Sequence, residues 1–161
     1  MQAINFVRVI PGGRAESSKE LWLDLEEYKG YVESLQRLKT ERRIGTGYLK
    51  HFETFEFLLD PKLRGSKVCN AATSNIGIRS DLKVTPCLAL VGYVLGDLRQ
   101  SPLKEILSSG RTKAFLEIHE SEKMDEACRA CRHFSFCKGG CRAHAFYSTK
   151  NIAARDPGCW L

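Results

Sequence analysis

Seven cysteines are the residues of this 161-residue chain best suited to chemistry, and all of them follow residue 68. Cysteine thiolates bind zinc and iron–sulfur clusters, and one zinc ion or one cluster usually takes four protein ligands. Seven ligands therefore predict two metal centres, one with four cysteines and one with three. The cysteines are Cys69, Cys87, Cys128, Cys131, Cys137, Cys141 and Cys159.

The central four cysteines follow the pattern C-x2-C-x5-C-x3-C, whose short gaps let neighbouring thiolates converge without closing long loops. In two-cluster ferredoxins the fourth cysteine of a short run binds the other cluster. By the same logic Cys128, Cys131 and Cys137 share one centre, while Cys141 belongs to the second. Gly139-Gly140 is expected to let the backbone approach a cluster closely. A structural zinc module and a set of disulfides are the alternatives.

The whole pattern resembles the SPASM domain, the C-terminal auxiliary-cluster region of radical SAM enzymes. That family's signature is a cysteine, a gap, G-x4-C, a gap, C-x2-C-x5-C-x3-C, a gap and a last cysteine, and each of its cysteines has a match here. The flanking residues are similar as well, in VTPC (84–87), CKGGCR (137–142) and DPGC (156–159). Residues 8–15 weakly resemble a late strand and loop of the radical SAM barrel.

The resemblance implies two [4Fe-4S] clusters with separate ligand sets. Auxiliary cluster I would be held by Cys69, Cys87 and Cys141, with one position open. Auxiliary cluster II would be held by Cys128, Cys131, Cys137 and Cys159. The implied fold class is α+β, with a partial (β/α) barrel remnant over residues 1–62. The auxiliary-cluster domain, a small β-hairpin and short helices around the two clusters, would span residues 63–161.

The function that the resemblance implies is that of a peptide- or cofactor-maturing enzyme, in which the clusters transfer electrons or engage the substrate. A peptide or cofactor precursor is then the expected substrate, and cluster I is expected to lie nearer to it. A stand-alone ferredoxin-like electron carrier and a zinc-stabilised binding module are the other two hypotheses.

Two departures from the family pattern qualify this prediction. The signature glycine, five residues before Cys87, is Leu82 here, so the hairpin turn must differ from an Asp-Gly turn. The SAM-binding motif C-x3-C-x2-C does not occur in residues 1–68. The chain alone is therefore expected not to cleave S-adenosylmethionine, and we expect a fragment or one half of a split enzyme, complemented by an N-terminal half or a partner subunit.

A few polar residues near the cysteines are further candidates. His144, Asp81 and Asn75 could each complete cluster I, against a packing or turn role. Arg14 could contact SAM or substrate in an intact enzyme, although an exposed loop position is the simpler interpretation. Two tryptophans, Trp22 and Trp160, are expected to pack rather than to react.

The elements that must position these residues follow from hydrophobic periodicity and turn signals. Residues 4–10 and 54–59 are predicted strands on either side of an amphipathic helix over 18–41, which would begin at a capping box over residues 17–20. The buried stripe of that helix would be Leu21, Leu25, Tyr28, Val32 and Leu35. Residues 75–79 and 83–87 predict a hairpin that turns at Ser80-Asp81. Short helices are predicted after Ser101-Pro102 and over 111–120.

The net charge of +6 comes from scattered basic residues, and two clusters with seven thiolates would reduce it to about +3. Nucleic acid is therefore not an expected partner. The chain has no apolar run of membrane-spanning length and no basic, signal-like start, so a cytoplasmic location without membrane contact is expected. An exposed strand edge at residues 4–10 would favour a partner subunit or an oligomer.

Overall fold

The computed structural model describes residues 8–42, 69–120 and 122–161. Two 3-10 helices, Gly13–Ser17 and Lys19–Leu21, precede helix α1 (Leu25–Arg42). Three short strands follow: β1 (Gly77–Ile78), β2 (Lys83–Thr85) and β3 (Gly96–Asp97). The C-terminal part is helical, with α2 (Leu103–Ser108), α3 (Gly110–Glu117), α4 (Glu126–Ala130), α5 (Phe134–Cys137) and α6 (Arg142–Thr149). The architecture is thus a mixture of helices and one small antiparallel sheet, and none of the described helices is long and apolar enough to cross a membrane.

The start of helix α1 differs from the prediction. Asp24, not a serine of residues 17–20, caps the helix, because its carboxylate accepts from the Glu27 N–H (2.9 Å) while the Glu27 carboxylate accepts from the Asp24 N–H (2.9 Å). Leu21 and Leu25 are accordingly exposed, whereas the rest of the predicted stripe, Tyr28, Val32 and Leu35, is buried. This face packs against Phe136, Cys137, Cys159 and Trp160, so α1 covers the C-terminal cysteines.

The predicted strands of a barrel remnant fall mostly outside the described residues. Residues 8–10, the end of the first, have no regular secondary structure, and residues 54–59 are not among those described. The boundary between residues 62 and 63 also lies outside the described ranges and stays a prediction.

The hairpin prediction is confirmed. Strands β1 and β2 pair antiparallel with Ile78 opposite Val84, and β3, which the sequence did not predict, pairs with the other edge of β2. Val84, Leu90, Ile106 and Phe115 form much of the main core behind the sheet, and Cys69, Cys87 and Cys141 pack against this core.

Leu82 occupies the glycine-type position of the hairpin loop. Its φ of 61° lies in the left-handed region, and its N–H donates to the Arg79 carbonyl (2.9 Å) in a turn that the Arg79–Lys83 backbone pair closes (2.9 Å). A left-handed conformation costs a residue with a Cβ about 1–2 kcal/mol. Leu82 therefore adopts a backbone conformation that favours glycine, at the cost of local strain.

We expect Leu82→Gly to raise the free energy of unfolding by about 1 kcal/mol, since the left-handed strain disappears and the lost side chain is 45% exposed. Urea denaturation measures the change. Leu82→Ala is the matched control: it removes the same side-chain atoms beyond Cβ, keeps the steric penalty and should give no such gain. Equal stabilities of the two variants would contradict the strain.

Candidate metal centres

Four of the seven cysteines line one cavity of about 250 Å³. Cys128 lies on α4 and Cys131 directly after it, Cys137 ends α5, and Cys159 comes from the C-terminal segment. His133, Phe134 and Arg155 also line the cavity. The structure thus brings together the four cysteines that the resemblance assigns to cluster II.

Local capping positions these cysteines. The Asp125 carboxylate accepts from the N–H groups of Ala127 (3.0 Å) and Cys128 (3.3 Å), and this starts α4 with Cys128 in its first turn. Lys138 follows α5 as its C-cap, and its φ of 52° turns the chain in the left-handed region. The Gly139 and Gly140 that follow both have φ of 83°. The chain can therefore reverse between Cys137 and Cys141, so that the two cysteines serve different groups.

The other three cysteines form a second group. Cys69 contributes to the electrostatic shifts of both others: the pKa of Cys87 is raised first by burial and further by Cys69, and the pKa of Cys141 is raised to about 12 by burial, by Asp156 and by Cys69. Cys87 follows β2 and Cys141 directly precedes α6. These three cysteines, which the resemblance assigns to cluster I, all pack against the main core, and Cys69 affects the pKa of each of the other two.

The thiols of the first group are coupled in the same way. Burial, followed by nearby Cys159 and Cys128, raises the pKa of Cys137 to about 12. Burial and Asp125 raise the pKa of Cys128, with a smaller contribution from Cys159. Several neighbouring thiols are thus neutral in the chain without metal.

Backbone N–H groups point at the sulfur atoms of both groups. The residue two positions after the cysteine donates at four sites: Ala71 to Cys69, Ala89 to Cys87, His133 to Cys131 (3.5 Å) and Gly139 to Cys137. At Cys141 the donor is the N–H of His144, three positions on. Hydrogen bonds of this kind favour the thiolate, and they are one of the means by which a protein tunes an iron–sulfur cluster.

These features fit a chain that binds iron–sulfur clusters through its cysteines. All seven cysteines are free thiols, so no disulfide competes for them. Metal binding requires thiolates, and a cationic iron core would compensate the charge that burial now disfavours. Within residues 8–42, 69–120 and 122–161, no three Cys, His, Asp or Glu side chains lie close enough to hold a single metal ion. That finding concerns a single ion and not a four-iron core, whose ligands stand farther apart.

A fully buried carboxylate, Asp156, joins the two cysteine groups. It accepts from the Cys141 N–H (2.7 Å) and the Gly158 N–H (2.9 Å), and its own N–H donates to the Gly139 carbonyl (3.2 Å). Arg8 forms a buried ion pair with it at 3.1 Å, and His144 Nδ1 lies 2.7 Å from its other oxygen. Asp156 thus ties the N-terminal segment to the loops that carry cysteines of both groups.

The charges around Asp156 outweigh the effect of its burial. Burial by itself would raise the pKa of this carboxyl, but the Arg8 charge, His144 and the Gly158 N–H together hold it well below its usual range. Asp156 is therefore ionised at neutral pH.

Gly139 and Gly140 have a packing role that the sequence analysis did not predict. A Cβ at Gly139 would lie 2.8 Å from an Arg142 guanidinium nitrogen, and a Cβ at Gly140 would lie 2.6 Å from the Asp156 Cβ. The two glycines therefore make room for two buried, oppositely charged side chains in addition to allowing the reversal of the chain.

The remaining candidates from the sequence have other partners. His144 is held by Asp156, and Asp81 pairs with Arg79 (2.9 Å) at the hairpin tip, as expected for a turn residue. Asn75 forms a backbone bridge with Ala71, close to Cys69 in sequence. Arg14 is exposed. Trp22 donates to the Ala15 carbonyl (2.7 Å), and Trp160 packs edge-on against Tyr28.

Sequence reasoning did not single out Arg8, Arg142 and Asp156, the charged residues buried around the cysteines. Their only signal was position: Arg142 directly follows Cys141, and Asp156 opens the DPGC segment.

A second cavity has a volume of about 520 Å³. Its lining joins residues 8–28 to helix α6 and to the segment 157–158, and includes Trp22, Tyr28, His144 and Tyr147 but no cysteine. Because Cys141 directly precedes α6 and Cys159 directly follows Gly158, the cavity adjoins segments of both cysteine groups.

Part of the chain is similar to a known protein family and to curated proteins. Residues 69–132 match the family model SPASM, an iron–sulfur cluster-binding domain. The chain is 33% identical over 94 residues to a cysteine-type anaerobic sulfatase-maturating enzyme of Clostridium perfringens, covering 55% of this chain and 25% of that protein. It is 31% identical over 107 residues to a PqqA peptide cyclase of Methylocella silvestris, covering 63% and 28%. The chain thus spans about a quarter of the length of these relatives.

A solved structure shares the fold. The native enzyme anSMEcpe, with bound AdoMet and the Cp18Cys peptide, superposes with a TM-score of 0.60 at 20% identity, over 96% of this chain and 44% of that one. A second structure of anSMEcpe, carrying a histidine tag and bound AdoMet, gives a TM-score of 0.55 at 23% identity, over 86% and 37%.

Proposed function

We propose that this chain is the SPASM iron–sulfur part of a radical SAM peptide-modifying maturase and that it binds two auxiliary [4Fe-4S] clusters in such an enzyme. Cys69, Cys87 and Cys141 hold cluster I, and Cys128, Cys131, Cys137 and Cys159 hold cluster II. The observation that carries the proposal is the division of the cysteines into these two groups, one around a single cavity and one coupled through Cys69.

The clusters supply one-electron chemistry when bound, and the chain's own residues prepare their sites. Cysteine sulfurs of both groups accept backbone N–H groups, which favour the thiolates that iron requires. Ionised Asp156 accepts the Cys141 N–H and so fixes the loop at which the two groups meet. In cluster I the fourth position is open, which leaves room for substrate or for another ligand.

The substrate that we propose is a peptide, bound beside cluster I. The related anSMEcpe structure contains a peptide, and a PqqA peptide cyclase is among the relatives. In this chain the cavity formed by residues 8–28 and α6 offers aromatic rings, Trp22, Tyr28 and Tyr147, next to His144 and the Cys141 loop. Cleavage of S-adenosylmethionine is assigned to a radical SAM half, of which residues 1–62 are the barrel remnant, and the cytoplasm is the proposed location.

Anaerobic reconstitution with iron and sulfide tests the two-cluster proposal. We expect about eight iron and eight sulfide per chain, with the visible sulfur-to-iron absorption of [4Fe-4S] clusters. The same chain offered zinc alone is the comparison. A colourless product that takes up zinc but no sulfide would support the zinc module and contradict the proposal.

A further inference from the structure

Arg142 is a large charged side chain that is almost completely buried, with 1% of its surface exposed. A buried guanidinium is costly unless its N–H groups are bonded, and here they are. Nη1 donates to the carbonyls of Ile152 and Ala154, both at 2.7 Å, Nη2 donates to the Gly139 carbonyl, and Nε lies 3.5 Å from the Gly140 carbonyl. These acceptors are neutral, so within the described part of the chain the positive charge of Arg142 is not cancelled by a direct ion pair.

The acceptors belong to the loops that carry cysteines of both groups. Gly139 and Gly140 lie between Cys137 and Cys141, and Ala154 lies in the segment that leads to Cys159. Nη1 also lies 3.8 Å from the Met124 sulfur, just before α4 and Cys128. On the other side, the Arg142 backbone N–H donates to Cys69. The guanidinium therefore stands among ligand segments of both proposed clusters.

From this geometry we infer that Arg142 is a positioning residue whose buried charge raises the reduction potentials of both clusters. This charge has no ion-pair partner among the described residues. The inference rests on the two-cluster function proposed above. Reduction adds one negative charge to a cluster, and a nearby buried cation stabilises the reduced form because a low-dielectric interior screens it weakly.

Asp156 provides a charge of opposite sign at the same junction. Its carboxylate accepts from the Cys141 N–H (2.7 Å), and its own N–H donates to the carbonyl of Gly139, two residues after Cys137 (3.2 Å). A cation and an anion thus act on both groups, separated by the Gly139-Gly140 segment. Because the two charges are opposite, removing either one should shift the reduction potentials in the direction opposite to that of removing the other. A purely structural role of either residue would not predict this difference.

The experiment is a redox titration of the reconstituted full chain, followed by electron paramagnetic resonance, with iron content measured for every variant. Arg142→Gln should shift both midpoint potentials to more negative values. Arg142→Lys should restore most of the shift, because it keeps the charge although it loses most of the hydrogen bonds. Asp156→Asn, nearly isosteric, should shift both potentials to more positive values.

The possible results distinguish the effect of Arg142 from the two-cluster function on which it depends. Wild-type chain that takes up no iron would contradict the two-cluster function itself. Two clusters whose potentials are the same in Arg142→Gln and wild type, or shift equally in Arg142→Gln and Arg142→Lys, would overturn the inference while leaving the function in place. If the Arg142 variants fail to load, Asp156→Asn decides alone: an unchanged or more negative potential in that variant overturns the inference.

Discussion

Cys137→Ala is expected to reduce the iron content of the reconstituted chain from about eight to about four per molecule. Cys137 lines the cavity with three other cysteines and packs against the buried face of α1, so its loss removes one ligand of a four-cysteine site and also opens the packing that covers this site. The other three cysteines remain in place, and cluster I should still assemble. Iron and sulfide analysis with electron paramagnetic resonance of the reduced protein measures the loss of one signal.

Cys87→Ala is the reciprocal variant and should remove the other signal while leaving cluster II. Ser135→Ala, an exposed position in the same helix as Cys137, is the matched control and should keep about eight irons. Full iron content in both cysteine variants would contradict the ligand assignment. Loss of all iron in either variant would show that the two sites do not assemble independently.

Asp156→Ala is expected to lower the free energy of unfolding by about 3–5 kcal/mol, because it leaves the buried Arg8 charge without its partner. Arg8 is 4% exposed, and its guanidinium also stacks 4.5 Å from the centre of the Tyr28 ring, so it cannot reach water without disrupting the packing. The Cys141 and Gly158 N–H groups would lose their acceptor as well. Anaerobic urea denaturation of the reconstituted chain measures the change.

The control for this variant is a double-mutant cycle with Arg8→Met. Removing both charges should cost less than the sum of the two single substitutions, since neither partner is left buried alone. Additive costs would contradict a coupled pair. The pH dependence has a definite sign: the depressed pKa of Asp156 means that its contribution is fully present above the ordinary carboxyl pKa and is lost as the pH falls through the lower folded value.

The sequence by itself identified the features that are local or that repeat a family pattern. The hairpin followed from two short segments on either side of a turn signal, and β1 and β2 pair antiparallel there. The assignment of the seven cysteines to two clusters came from spacing and resemblance and stays a prediction, and in the structure Cys128, Cys131, Cys137 and Cys159 line one cavity. Short-range spacing carries this information because a few residues of chain limit which thiols can meet.

Competition between similar local signals was decided only by packing. Residues 17–20 and 24–27 both offer a capping box, and the second is used. The Trp22 indole N–H donates to the Ala15 carbonyl, and two 3-10 helices precede α1. Helix α1 therefore begins later than predicted, and its buried face is Tyr28, Val32 and Leu35. The apolar stripe in the sequence therefore extended one turn too far towards the N-terminus.

The buried charges were decided by the tertiary structure alone. Arg8 and Asp156 are 148 positions apart, and no local pattern indicates that they meet. Arg142 has the appearance of an ordinary basic residue in the sequence, whereas in the structure the carbonyls of two separate segments bind its guanidinium. The predicted ligands are thus read from cysteine spacing, whereas the charges around the cysteines depend on long-range packing, because burial and pairing exist only in the folded chain.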